Sequence, residues 1–197
     1  MPVPKGAVLD PAQTRAAILD AATVLLYQRG LDGIGVAKLC AAIGISKETL
    51  YRHFGSKDGL VQDVLDARHD RLARSLDDAV DAGADPTDQL AAVFDVLARW
   101  HAEPDFRGCA ILNAATQHHA GPARAVAARL LDHRLDLLTG IAARSGASDP
   151  ARLGRQLLTL LTGATVLADH HGDADAAEHA KQAALALLRS AGPTATL

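Results

Sequence analysis

Residues 36–57 read VAKLCAAIGISKETLYRHFGSK. Val36, Leu39, Cys40 and Ile43 recur at helical intervals and form one apolar face. Gly44 follows the last of them, where a helix can end in the left-handed conformation that glycine adopts without a Cβ penalty. Ile45 plugs the corner that this turn makes. Ser46 stands as an N-cap, its hydroxyl placed to accept from free backbone N–H groups of the next helix. In that helix Leu50 and Phe54 return to the core one turn apart. Lys47, Glu48, Thr49, Tyr51, Arg52 and His53 lie around them, polar or aromatic.

Two short helices meeting at a glycine fit two descriptions. One is an ordinary helical hairpin with a solvated charged face. The other is a helix-turn-helix, whose second helix lies in the DNA major groove with its N-terminal residues toward the bases. The stretch ISKETLYRHFGSKDGL, residues 45–60, resembles the motif of the TetR family of transcriptional repressors. The residues that carry the resemblance are Gly44, Ile45, Ser46, Thr49, Leu50, Tyr51, His53, Phe54 and Lys57. It reaches back to about Pro11 and fades beyond about Leu76.

Composition agrees with a helical chain. Of 197 residues, 49% are apolar but only 3% aromatic, and Ala and Leu dominate, which favours close-packed helices over strands. The net charge of −3 divides unevenly: residues 1–57 carry +3 and the remainder −6. A basic first quarter on an acidic remainder is the charge pattern of a DNA-binding head on a body that avoids DNA. Cys40 and Cys109, the two cysteines, make no disulfide framework and suit a reducing compartment. No apolar run follows Lys5, so no signal peptide is read and a cytoplasmic location is expected. The longest apolar run, 157–168, is broken by Thr159, Thr162 and Gly163 and is too short to span a bilayer.

Along the chain, residues 1–9 read as an arm. Asp10, Pro11 and Gln13 read as a helix start, and Gly30 as its stop. Ile18, Ala22, Leu25 and Leu26 face inward between them. Ser56 caps a longer fourth helix carrying Leu60, Val64, Leu65, Leu72 and Leu76. Five more helices are predicted over 87–101, 105–118, 122–144, 150–170 and 174–191, with breaks at Gly and Pro between them. The expected fold is all-α. A helix-turn-helix head occupies 1–57 and extends into a linker helix over 57–82. A helical effector-binding and dimerisation domain occupies 58–197.

The resemblance implies roles. Tyr51, His53 and Lys57 would touch the DNA backbone, Lys57 together with the N-terminal N–H groups of its helix. Tyr51 also fits a packing role. Base reading would fall to Lys47, Glu48, Thr49 and Arg52, after the Ser46 cap. Family members begin the preceding helix with Thr or Ser and place Arg soon after. Here Gly35, Val36 and Ala37 stand there, a weaker cap without the phosphate-binding hydroxyl, and Lys38 is the residue that could compensate.

The family resemblance also implies a homodimer on a double-stranded DNA operator, with a body that binds a small molecule. The last two helices would form the dimer interface through Leu157, Leu160, Ala164 and Leu167 on one and Ala184 and Leu188 on the other. The same stripes could pack within one subunit. FRGCAILNAATQHH, residues 106–119, resembles the sixth helix of one group in the family. Phe94, Trp100, Phe106, Cys109, Asn113 and Thr116 are the candidate effector residues, for a small and largely apolar molecule. Asn113 in an apolar stretch would have to be bonded if buried, to a ligand or to a neighbouring backbone group.

Nine His residues raise a metal-responsive alternative. Neighbouring His on a helix diverge, and no Cys-x-x-Cys or His-x-x-x-His spacing accompanies them, so no metal site is assigned. No nucleophile–base pair, phosphate loop or cofactor motif stands out, so no enzyme and no cofactor is expected. A regulator without a small-molecule effector is the remaining alternative. A nonspecific DNA-organising protein fits the acidic body poorly.

Overall fold

The computed structural model describes residues 11–29, 34–117 and 121–192. Among these the secondary structure is helical and no strand occurs. The helices are α1 (Pro11–Arg29), α2 (Val36–Ile43), α3 (Lys47–Phe54), α4 (Lys57–Ala82), α5 (Pro86–His101), α6 (Ala110–Gln117), α7 (Pro122–Arg144), α8 (Pro150–Val166) and α9 (Ala176–Ser190). A π-helical turn, Leu167–His171, extends α8 and ends at Gly172 in the left-handed region. The arm over 1–9, the Asp10 cap, the Gly30 stop and the His118–His119 pair lie outside the described residues.

The contacts of the chain divide into two compact units. One comprises 1–68 and 110–126, the other 69–109 and 127–197. In the first, α1 packs on α2 and α2 on α3. Its core is Ile18, Ala22 and Leu26 of α1, Leu39 and Cys40 of α2, Leu50 and Phe54 of α3, and Leu60, Val64 and Leu65 of α4. Leu25 is only half-buried. In the second unit α9 packs on α5 and α8. Small side chains make that close packing possible: α9 buries Ala176, Ala177, Ala180, Ala184 and Leu188, and α5 buries Leu90, Val93, Phe94 and Leu97. Lys181 of α9 reaches Asp95 of α5, 2.9 Å away, and Glu178, 2.6 Å away.

Caps fall where short polar side chains precede an apolar run. Asp85 accepts from the backbone N–H groups of Thr87 and Asp88 with Pro86 at the first helical position, and Asp149 accepts from Arg152 ahead of α8. Two predicted boundaries shift. The sixth helix begins at Ala110 rather than 105, because Gly108 takes a positive φ of 69° and turns the chain first. The last helix begins at Ala176 rather than 174, after a turn in which Asp175 donates its backbone N–H to the Asp173 carboxylate.

Candidate nucleic-acid interface

The corner between α2 and α3 is built by its glycine and its serine. Gly44 sits at φ 81°, ψ 32°, and its N–H closes onto the Cys40 carbonyl. Two residues later Ser46 is extended, and its Oγ accepts from the Thr49 N–H at 3.0 Å. The Thr49 hydroxyl lies 2.9 Å from the same Oγ. The first turn of α3 is therefore fixed from both its backbone and a side chain. Gly35 ahead of α2 makes no side-chain cap bond, as its lack of a side chain dictates.

With the ends set, burial sorts the faces of α3. Leu50 and Phe54 are buried, and Lys47, Glu48, Tyr51 and Arg52 are exposed, with Thr49 and His53 half-buried. Tyr51 is 47% exposed, so much of its ring is open to solvent. Arg52 and Glu48 form a loose pair at 3.4 Å between two highly exposed side chains. Such a pair is worth little in water and leaves the guanidinium available to another anion. Lys38 is exposed in the first turn of α2, and Lys57 is half-buried in the first turn of α4.

Behind this surface the helix is held firmly. The Arg15 guanidinium lies 5.1 Å from the centre of the Phe54 ring and also pairs with Asp63 of α4. Arg68 lies over the Tyr27 ring at 4.3 Å. Ser56 caps α4 by accepting from Gly59. Gly59 passes so close to the end of α3 that an added Cβ would fall 2.1 Å from the Phe54 carbonyl oxygen. Sequence reasoning missed Gly59; its only local sign is a glycine in the first turn of a helix, where no turn needs one.

The body candidates separate. Phe94, Trp100, Phe106 and Cys109 are all buried in the second unit, with Trp100 edge-on to Phe106 at 5.1 Å. His101 lies 4.9 Å from Phe106, both its ring nitrogens buried without a partner among the described residues, and burial holds it below the usual histidine range. Asn113 and Thr116 belong to the first unit and are exposed. The burial cost considered for Asn113 therefore does not arise, and the Thr116 hydroxyl is spent on the Leu112 carbonyl. A cleft of about 410 Å³ lies in the second unit between α4 and α7, bounded by Asp77, Asp81, His133, Asp136 and Arg144. None of the six candidates lines it. Among the described residues no three His, Cys, Asp or Glu gather as a metal site.

Residues 18–64 match the model for bacterial regulatory proteins of the tetR family. The transcriptional regulator TtgR of Pseudomonas putida is 36% identical over 69 residues, which cover 34% of this chain and 33% of that protein. The match thus spans about a third of such curated relatives. SCO4454, a TetR-family regulator of Streptomyces coelicolor, superposes with a TM-score of 0.86 at 28% identity, covering 92% of this chain and 97% of its own. The TetR-type protein sav143 of Streptomyces avermitilis is 33% identical with a TM-score of 0.77, covering 93% of this chain and 98% of its own. The chain belongs to the TetR family.

Within the TetR family assignment, four of the dimer candidates lie in the core of the single chain: Leu157, Ala164, Ala184 and Leu188 are between 0% and 6% exposed. They face inward because α9 is sandwiched against both α5 and α8, which uses up the apolar stripe of each. Leu160 is half-buried and Leu167 is 49% exposed. Beside Leu167, Val166 is equally open and was not singled out from the sequence. Gly154, also passed over, faces α7 so closely that a Cβ there would meet the Thr139 hydroxyl at 2.2 Å.

Proposed function

We propose that this chain is a sequence-specific, DNA-binding transcriptional regulator, a repressor that works in the cytoplasm as a homodimer and leaves a palindromic operator when a small organic effector binds. One observation carries the reading. The capped helix α3 buries Leu50 and Phe54 and turns Lys47, Glu48, Tyr51 and Arg52 to solvent. Lys47 and Thr49 stand in the first turn, the part of such a helix that meets base edges. Lys donates to guanine, Glu accepts from cytosine, and the Thr methyl suits thymine. Tyr51, His53 and Lys57 take the phosphates.

Selection of binding sites from random duplexes with the purified chain tests this directly. The expected product is a pair of half-sites about one helical turn apart, or a small multiple of it. Lys47→Ala should relax preference at particular operator positions by about 1–3 kcal/mol while nonspecific affinity changes less. Unenriched pools sink the reading; a logo unchanged in the variant removes Lys47 from base contact.

The dimer surface is assigned to the open side of α8: Leu160, Val166 and Leu167. Apolar side chains of this size left in water at a helix end favour a partner helix. Val166→Asp adds a charge where a single chain tolerates it but an interface does not. Sedimentation should then give monomers, with a loss of several kcal/mol in association and weakened operator binding. A variant that still sediments as a stable dimer moves the interface elsewhere.

A further inference from the structure

Arg134 stands where α7 calls for an apolar side chain. Leu130, Leu138 and Ile141 recur around it at helical spacing, each 0–1% exposed, and Arg134 itself is 2% exposed. Its Nε is buried without a hydrogen-bond partner among the described residues. Among the described residues no carboxylate forms an ion pair with it. Burial pushes its guanidinium below the usual arginine range, and the Cys109 thiol nearby pushes the other way. A guanidinium nonetheless keeps its proton in proteins. The body of this chain therefore encloses a positive charge that its described side chains do not neutralise.

Such a charge is costly to enclose, and a chain optimised for stability alone would place Leu or Met there. A neutral thiol is a weak acceptor and cannot neutralise it. An anion from outside can. A carboxylate matches the planar fork of a guanidinium in shape and in charge. A phosphate dianion would leave one negative charge in excess in the same apolar surroundings.

We infer that Arg134 anchors the effector, and that the effector is a small organic molecule with one carboxylate and an otherwise apolar frame. The inference rests on the reading of the body as an effector domain and narrows its ligand to a chemical class. It also supplies a coupling. Arg134 is 2% exposed, so a ligand with an apolar frame seats against it only as the helices around it part. Binding and conformational change are then one event, and the ligand shifts the protein toward the parted form by its preference for that form.

The test uses thermal unfolding of the full chain with benzoate, hexanoate and octanoate, the matching neutral amides, and inorganic phosphate. At least one carboxylate is expected to raise Tm by about 5 °C near saturation, and its amide by much less. Arg134→Met should raise the ligand-free Tm by a few degrees, as relief of an unpaired buried charge requires, and abolish the carboxylate shift. Arg134→Lys should keep part of that shift. A fixed Tm against every carboxylate overturns the inference, as do equal shifts from acid and amide. An Arg134→Met variant less stable than the parent also overturns it, since Arg134 is then structural. A phosphate shift as large as that of the carboxylates replaces the organic effector with an inorganic ion. Operator binding measured on the same samples separates the two readings. Intact DNA binding without a carboxylate effect defeats only the effector class, whereas lost DNA binding in the parent defeats the regulator reading and leaves the Tm series to judge Arg134.

Discussion

Gly59→Ala is expected to loosen the head and cut operator affinity by up to about 30-fold. The added methyl would sit 2.1 Å from the carbonyl oxygen of Phe54. That atom is backbone and cannot rotate away, so α4 must shift relative to α3. Overpacking of this kind costs about 3 kcal/mol at the upper end of its range. Against it stands the gain of up to about 1 kcal/mol from replacing glycine by alanine in a helix. The clash wins by about 2 kcal/mol. The strain falls on Phe54, which with Leu50 anchors the exposed face of α3, so DNA binding suffers more than the fold. Amide exchange across α3 and the first turns of α4 should quicken selectively. Protection and affinity equal to those of the parent would show that the approach at Gly59 is slack in solution.

Raising salt should dissociate the complex steeply. If each head of a dimer neutralises about three phosphates, the slope of log affinity against log salt is about −5. A rise from about 50 mM to about 200 mM then lowers affinity about 1,000-fold. Lys57→Ala removes one contact per head and should flatten the slope by about 2 for the dimer, equally on operator and nonspecific DNA. Base-reading variants such as Lys47→Ala change preference among sequences instead. A slope unaltered by Lys57→Ala at several salt concentrations would place Lys57 away from the phosphates.

The parts of this protein legible in its sequence are those fixed within a few residues. Ser46 caps α3 because its hydroxyl reaches an N–H three residues on, and Gly44 ends α2 because that turn needs a positive φ. Both effects lie inside one turn of chain, so the helix-turn-helix could be read from residues 36–57 before any tertiary contact was known. The charge divide between 1–57 and the rest is a property of composition and needed no structure either.

Tertiary structure decided which face of each helix is used and what it meets. The stripe of Leu157 and Ala164 on α8 and that of Ala184 and Leu188 on α9 satisfy helical periodicity equally for a partner subunit or for one chain. Only the packing of α9 on α5 and α8 turned them inward and left Val166 and Leu167 in the open. Asn113, in an apolar run, came out exposed. Arg134, which the sequence reading did not single out between Asp132 and Asp136, came out buried. Gly59 and Gly154 matter because another helix passes within reach of a Cβ. Periodicity states that a helix has an apolar face; which neighbours cover it depends on residues tens of positions away, and that information appears only when the chain is folded.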